Sequence, residues 1–434
     1  MGKTVKSVLI VLMILSGAGI NLKSGFGQSA SSEDLPAYKN PLIQTEKRVE
    51  DLLSRMTPDE KIGQLSCMLG WEMYSKTGNK VSPSDSFKKA VKEQQPGMFW
   101  ATLRADPWTE KTLETGLNPE LAAEATNLLQ KYFIENTRLG IPLLFAEECA
   151  HGHMAIGTTV FPTAIGQGST WNPGLIQQMA AATAAEARAQ GAHIGYGPIL
   201  DLARDPRWSR VEETFGEDPY LNGQMGIAVV KGFQGDGLKS GKNLASTLKH
   251  FTAYGASEGG HNGGNVRAGM LELHSVFLPP FNDAIQAGAI SVMTAYNSID
   301  GIPCTSNRYL LDDIVRGKWG FEGFFVSDLG GISALRSGHR IAETPAQAAA
   351  LALKAGVDVD LGGEDYGEKL KEALQNGQIK ITDIDQAVRR VLKVKFEMGL
   401  FENPYVKPAE AKENARNREH ILLHGRSPAN QSSF

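Results

Sequence analysis

Short apolar runs alternate with amphipathic stretches along most of the chain. Eight runs have strand length: Gln64 to Leu69, Gly97 to Ala101, Ile141 to Phe145, His193 to Leu200, Leu244 to Lys249, Ala289 to Thr294, Phe324 to Ser327 and Val357 to Leu361. Between them, helix starts are written in capping residues. Thr57-Pro58-Asp59-Glu60 reads as a capping box with proline at the first helical position. Asn172-Pro173 opens an alanine-rich helix that Gly191 closes, and Thr344-Pro345 opens one that runs to Ala355. Further helices are predicted over Gln44–Arg55, Pro119–Thr137, Leu271–Ala287 and Asp383–Glu397. Residues 74–95 are polar and charged and read as an excursion. Strands and helices alternating in this way predict an α/β fold, a (β/α)8 barrel with insertions. An open doubly wound sheet is the alternative, but no glycine-rich dinucleotide turn follows the first strand.

The seventh run organises the rest. Phe324, Phe325 and Val326 are apolar without alternation, as in a strand covered on both faces. The strand ends in Ser327-Asp328, and Gly330-Gly331 follow. Parallel-sheet enzymes place their chemistry at such strand ends. An aspartate there is either a catalytic nucleophile or the cap of the next helix.

Charge and composition narrow the class. The 434 residues carry 44 basic and 48 acidic side chains, for a net charge of -4, which favours neither nucleic acid nor an anionic membrane surface as partner. The three cysteines, Cys67, Cys149 and Cys304, make no disulfide framework and no zinc spacing, so free thiols are expected. Residues 1–30 read as a secretion signal: Lys3 and Lys6, then an apolar run from Val8 to Leu15, then small residues up to Gly27-Gln28-Ser29-Ala30. Cleavage within 18–30 and export to a periplasmic or extracellular location are expected. No cysteine near the exit suggests a lipid anchor.

Polar residues collect where the strands end: Glu147, Glu148, His151 and His153 after the third; Asp201, Arg204, Asp205, Arg207 and Arg210 after the fourth; Lys249 and His250 at the end of the fifth; Met293 and Tyr296 at the sixth; Asp328 at the seventh. In a barrel these ends share one mouth. Acids, Arg, Lys and His suit a sugar, whose hydroxyls point in fixed directions, and an oxocarbenium-like transition state needs a carboxylate beside it. Arg204, Arg207 and Arg210 with Glu212, Glu213, Glu217 and Asp218 are equally readable as a structural ion-pair cluster, and His151 and His250 as core histidines.

Five motifs carry a resemblance to a known family: Glu148-Cys-Ala-His-Gly152, the run from Ala203 to Pro219, Leu248-Lys-His-Phe251, Met293-Thr-Ala-Tyr-Asn297 and Val326-Ser-Asp328. Over residues 44–402 the chain resembles the barrel domain of glycoside hydrolase family 3, the β-glucosidase and β-xylosidase family. The resemblance implies a retaining β-glycosidase with Asp328 as nucleophile, no cofactor and no metal. It further implies that Glu148, Arg210, Lys249 and His250 hold the sugar, and that Met293 and Tyr296 wall its subsite. A terminal β-D-glucosyl residue is the expected substrate, with a β-xyloside as the alternative.

Three positions depart from the family pattern. Leu329 stands where family glucosidases carry a tryptophan. Glu148 replaces the more common aspartate, and its extra length crowds a C6 hydroxymethyl. The family's acid/base comes from a second α/β domain beyond the barrel. A subgroup acting on N-acetylglucosaminides instead uses a histidine after the Lys-His strand. The loop here, Thr252 to Asn265 with Glu258 and His261, has Thr252 where that motif has proline. The chain is thus expected to divide into a signal (1–30), a barrel (31–402) and a linker with an irregular tail (403–434). The stretch from Leu422 to Phe434 has no periodicity and resembles a frameshifted or misjoined end, so it is expected to be poorly ordered. Two other readings follow from the same residues: a zinc-dependent hydrolase using His151, His153, Lys249, His250 and Asp328, or a sugar-binding remnant without turnover.

Overall fold

The computed structural model describes residues 35–426, so the proposed signal and its cleavage site lie outside the described residues. Eight parallel strands form the central sheet: β1 (Ser66–Leu69), β2 (Met98–Trp100), β3 (Leu144–Glu148), β4 (Ile194–Ile199), β5 (Ala245–Phe251), β6 (Ser291–Thr294), β7 (Phe324–Val326) and β8 (Asp360–Gly362). Each strand from β1 to β6 pairs with the next in sequence, and β8 returns beside β1, with Ser66 opposite Asp360. The seam between β7 and β8 is closed by a parallel bridge between Val326 and Val359. Hydrogen bonds from Ser327 N to Val359 O (2.9 Å) and from Leu361 N to the Ser327 hydroxyl (3.1 Å) reinforce it. The sheet is therefore the predicted barrel and not an open doubly wound sheet.

Element boundaries moved where backbone chemistry overrode the pattern. β3 starts at Leu144, because Pro142 has no N–H to give a ladder; the shift puts Glu147 and Glu148 inside the strand. β5 runs two residues past Lys249, so Lys249 and His250 are strand residues. The helix expected over Leu271–Ala287 is broken into Met270–Glu272, a wide turn over Leu273–Phe277, and Pro279–Gln286. Pro279 and Pro280 lack the donors that a continuous helix requires. The excursion at 74–95 is ordered as a hairpin (Tyr74–Thr77 with Lys80–Pro83) and the helix Asp85–Glu93. The capping box at Thr57 is present: Thr57 N donates to Glu60 Oε2 (2.8 Å) and Glu60 N to the Thr57 hydroxyl (3.3 Å).

The end of the described chain also corrects the sequence reading. Residues 403–426 dock on the barrel's helices. The Asn127 carboxamide exchanges hydrogen bonds with the backbone of Val406 (2.8 and 2.9 Å). Helices Pro408–Asn414 and Arg418–Gly425 follow, the second capped by Asn417 and burying Leu423. Residues 427–434 lie outside the described residues. At the other end, Arg48 on the helix Thr45–Arg55 stacks over Phe396 (4.4 Å) and pairs with Glu402 at 2.6 Å. Among the described residues, no helix is long and apolar enough to cross a membrane. All three cysteines are free and buried.

Two buried carboxylates hold the wall of the barrel. Asp358 accepts from Arg316 Nη2 (2.6 Å), Arg390 Nη1 (2.7 Å) and Phe325 N (2.8 Å), so it clamps β7 to the approach of β8 and to the helix Ile381–Glu397. Asp358→Asn leaves two guanidiniums short of a charge; a loss of about 3–5 kcal/mol is expected, measured by urea unfolding. Glu147 accepts from Leu103 N (3.0 Å), and burial pushes its carboxyl up to about 8. A raised folded-state pKa stabilises fully below the ordinary glutamate range, and that stability is lost as pH climbs to about 8. Glu147→Gln keeps the acceptor and removes the charge. Its unfolding free energy should match the parent's near pH 4.5 and exceed it increasingly up to pH 8, by about a few kcal/mol, measured by urea unfolding across that range.

Candidate active site

β5 carries the centre of the site. Its alternation sends Lys249 and His250 to different partners. Lys249 Nζ donates to Glu148 Oε2 on β3 at 2.8 Å and lies 5.8 Å over the Tyr196 ring of β4. His250 is fully buried, with Nδ1 2.7 Å from Asp201 Oδ2 and Nε2 3.0 Å from Arg210 Nη2. Arginine can only donate, so Nε2 is an acceptor and the ring proton sits on Nδ1, pointing at Asp201. Burial, with Arg210 and Lys249 nearby, holds His250 well below the usual histidine range and keeps it neutral. Burial raises Asp201 to about 8.

Arg210 follows β4 and makes a bidentate pair with Glu213 at 2.7 Å on both arms. Burial works to raise Glu213, but Arg210 outweighs it and leaves that carboxyl below its ordinary value. Tyr254, just past β5, packs edge-on to His250 (5.3 Å), Trp208 (4.9 Å) and Tyr296 (5.9 Å), with the Arg210 guanidinium 5.4 Å over its ring.

Asp328 stands at the end of β7, 9% exposed. Its Oδ1 accepts from Leu329 N at 2.8 Å. Its Oδ2 has no hydrogen-bond partner and lies 3.6 Å from His250 Nε2. The Tyr296 hydroxyl spends its proton on Leu329 O at 2.7 Å. Burial raises the Asp328 carboxyl, while Arg210 and Lys249 pull it back toward the charged form. The Asp328 charge in turn adds to the burial that raises the Tyr296 phenol. The result is one carboxylate oxygen without a hydrogen-bond partner, under the electrostatic influence of two cations, at the mouth of a closed barrel.

Five of the six residues singled out beside Asp328 therefore meet it or one another: Glu148, Arg210, Lys249, His250 and Tyr296. Met293 is buried on β6, in register with Val326, and packs into the barrel core. Arg207 is an exposed partner of Asp205 (2.7 Å), and Arg204 reaches only Glu272 at 3.8 Å, so both belong to surface ion pairs. In the loop after β5, Glu258 pairs with Arg267 at 2.7 Å and is half-exposed, and His261 is exposed. The zinc reading fails on geometry. His151 Nδ1 is 3.0 Å from Phe161 O, while both ring nitrogens of the buried His153 lack partners. Among the described residues, no three His, Cys, Asp or Glu side chains are grouped to hold a metal ion. Sequence reading missed Tyr254; the available signal was an aromatic four residues past His250, at the turn out of the strand.

Residues 57–394 match the N-terminal domain of glycosyl hydrolase family 3. The chain is 35% identical over 381 residues to a periplasmic β-glucosidase of Salmonella typhimurium, covering 87% of this chain and 46% of that protein. It is 42% identical over 283 residues to a β-xylosidase of Formosa agariphila, covering 62% of this chain and 39% of that protein. Among solved structures, a β-glucosidase from Erythrobacter marinus superposes with a TM-score of 0.80 at 33% identity, covering 91% of this chain and 50% of that one. A β-glucosidase from Listeria innocua in complex with glucose gives 0.78 at 33%, covering 89% and 51%. The chain spans about half the length, or less, of these relatives. The match over most of the barrel, with the same fold at this identity, establishes that the chain belongs to glycosyl hydrolase family 3 and carries its N-terminal domain.

Proposed function

We propose that the barrel binds the terminal sugar of a β-glycoside and that Asp328 is the nucleophile of a retaining β-glycosidase. The observation that carries this is Asp328 Oδ2: buried, with no hydrogen-bond donor on it, and within the electrostatic reach of Arg210 and Lys249. In the first step Oδ2 bonds to the anomeric carbon as the bond to the leaving oxygen breaks. In the second, water attacks that carbon and the glycosyl ester breaks, restoring the carboxylate. Glu148, Lys249, Arg210 and His250 supply donors and acceptors for the sugar hydroxyls, and Tyr296 walls the subsite.

The leaving oxygen needs a proton, and the described residues aim no free acid at Oδ2. Glu148 and Glu213 are tied up in ion pairs, Asp201 lies on the far side of the His250 ring, and Glu147 faces Leu103. The proton donor is therefore assigned outside the described residues. Activated leaving groups bypass the requirement.

A β-D-glucoside is the leading substrate, in keeping with the glucosidases among the relatives. A β-xyloside is favoured by one residue: Glu148 puts a longer acid than aspartate beside Lys249. The charged and then apolar start of the chain, with a periplasmic relative, supports export.

The test is 2-deoxy-2-fluoro-β-D-glucosyl fluoride, with the xylosyl analogue alongside. Mass spectrometry should find one glycosyl adduct on the peptide that contains Asp328, and none in Asp328→Asn. Labelling at another residue would overturn the assignment. The preference for a dinitrophenyl over an alkyl glycoside should be about 10²–10⁴ larger than in an enzyme that has its general acid, because only the poor leaving group needs the proton. Because Asp328 must be ionised, Lys249→Met should move the acid limb of labelling to higher pH. An unmoved limb would remove Lys249 from the electrostatics of the nucleophile.

A further inference from the structure

The floor of the barrel, at the opposite end from Asp328, holds a second polar cluster that the proposed chemistry does not use. Lys395, on the helix Ile381–Glu397, passes beneath β1 and β2. It is fully buried and donates to Gln64 Oε1 (2.6 Å) and Gly97 O (3.0 Å). His193 precedes β4 and stacks on Phe145, ring centroids 5.8 Å apart. Its Nδ1 accepts from Phe145 N at 3.0 Å, which fixes the tautomer: Nε2 carries the proton. That Nε2 is buried and has no acceptor.

Arg188 closes the helix Pro173–Ala189 and is 3% exposed; its Nε and Nη1 are buried without partners, as is the carboxamide of Gln190 beside it. Both Arg188 and Lys395 stand close enough to His193 for their charge to add to the burial that depresses its basicity. Among the described residues, neither cation has an ion-pair partner. Burial alone accounts for the lowered basicity of each, with no carboxylate opposing it.

The inventory is one-sided. His193 Nε2, Arg188 Nε and Nη1, and Gln190 Nε2 are all donors, and Gln190 Oε1 is the one unpartnered acceptor on these side chains. A guanidinium keeps its charge throughout the physiological pH range, and a buried charge is normally paired. Water can satisfy the hydrogen bonds but not the charge.

We propose that Arg188, His193 and Lys395 bind a small inorganic anion of the halide class in the floor of the barrel. The site is structural, and its occupancy is independent of the sugar chemistry at the other end.

The test uses the full chain with chloride as the probe. At constant ionic strength, replacing gluconate by chloride should raise Tm with a saturating dependence, by roughly one to three degrees. Arg188→Met should abolish the dependence while leaving the rate of labelling by the fluoro-glucosyl fluoride unchanged. Should that variant fail to fold, Lys395→Met serves the same purpose. Crystals grown in bromide should show an anomalous peak within about 3.5 Å of His193 Nε2 or Arg188. A bromide map without that peak, or a Tm that tracks ionic strength alone, would mean that only ordered water occupies the floor and would overturn the proposal.

Discussion

Everything at the mouth of this barrel depends on keeping one carboxylate charged where water is scarce. Burial alone would drive Asp328 toward its neutral form, which cannot bond to carbon. Two cations oppose that, and each is itself held by a second acid. Lys249 is anchored by Glu148 and Arg210 by Glu213, so each cation is shared between a fixed acid and the reactive one. His250 could have been a third positive charge; Arg210 and Asp201 instead fix it as a neutral spacer with a defined tautomer. The cluster is thus a set of mutual constraints, and changing one charge alters the protonation of the others.

The fold supplies the rigidity that such sharing requires. The charged residues come from β3, the turn after β4, β5 and the end of β7, and a barrel wall fixes the distances between them. The wall is thinnest at its seam, where β7 and β8 meet through one bridge and a serine hydroxyl. Asp358 compensates there with two arginines and a backbone amide of β7. Asp328 lies two residues beyond that seam strand, so the stability of the closure and the placement of that carboxylate are linked.

The barrel was legible because its strands are short, apolar and separated by capped helices. The site was legible because its residues sit at strand ends, where packing does not call for acids and bases. What was missed has physical causes. The helix Pro219–Gln234 is apolar almost all round and shows no amphipathic stripe, so periodicity could not flag it. The excursion at 74–95 is polar because its hairpin and helix lie on the surface. Arg204 and Arg207 match the spacing of Arg210, yet only Arg210 turns inward, because Glu213, three residues on, holds it. Tyr254 was passed over for the opposite reason: its place just past His250 was a signal, but sequence does not separate a tyrosine that seals an ion cluster from one that fills a core. The docked tail was misread because its anchors, Asn127 on Val406 and Glu186 on His420, are pairings across 279 and 234 positions.

The clasp formed by Arg48 and Glu402 joins positions 354 apart, and β1 finds its outer neighbour only at Asp360. A ribosome releases the first strand hundreds of residues before the strand that will flank it. During that interval β1 has an open edge, and its hydrogen-bonding groups are available to any extended segment nearby. Folding of this architecture is therefore bound to be late and dominated by distant pairings. The polar start of the helix Thr45–Arg55 and the capping box at Thr57 supply the local order available to the young chain while it waits.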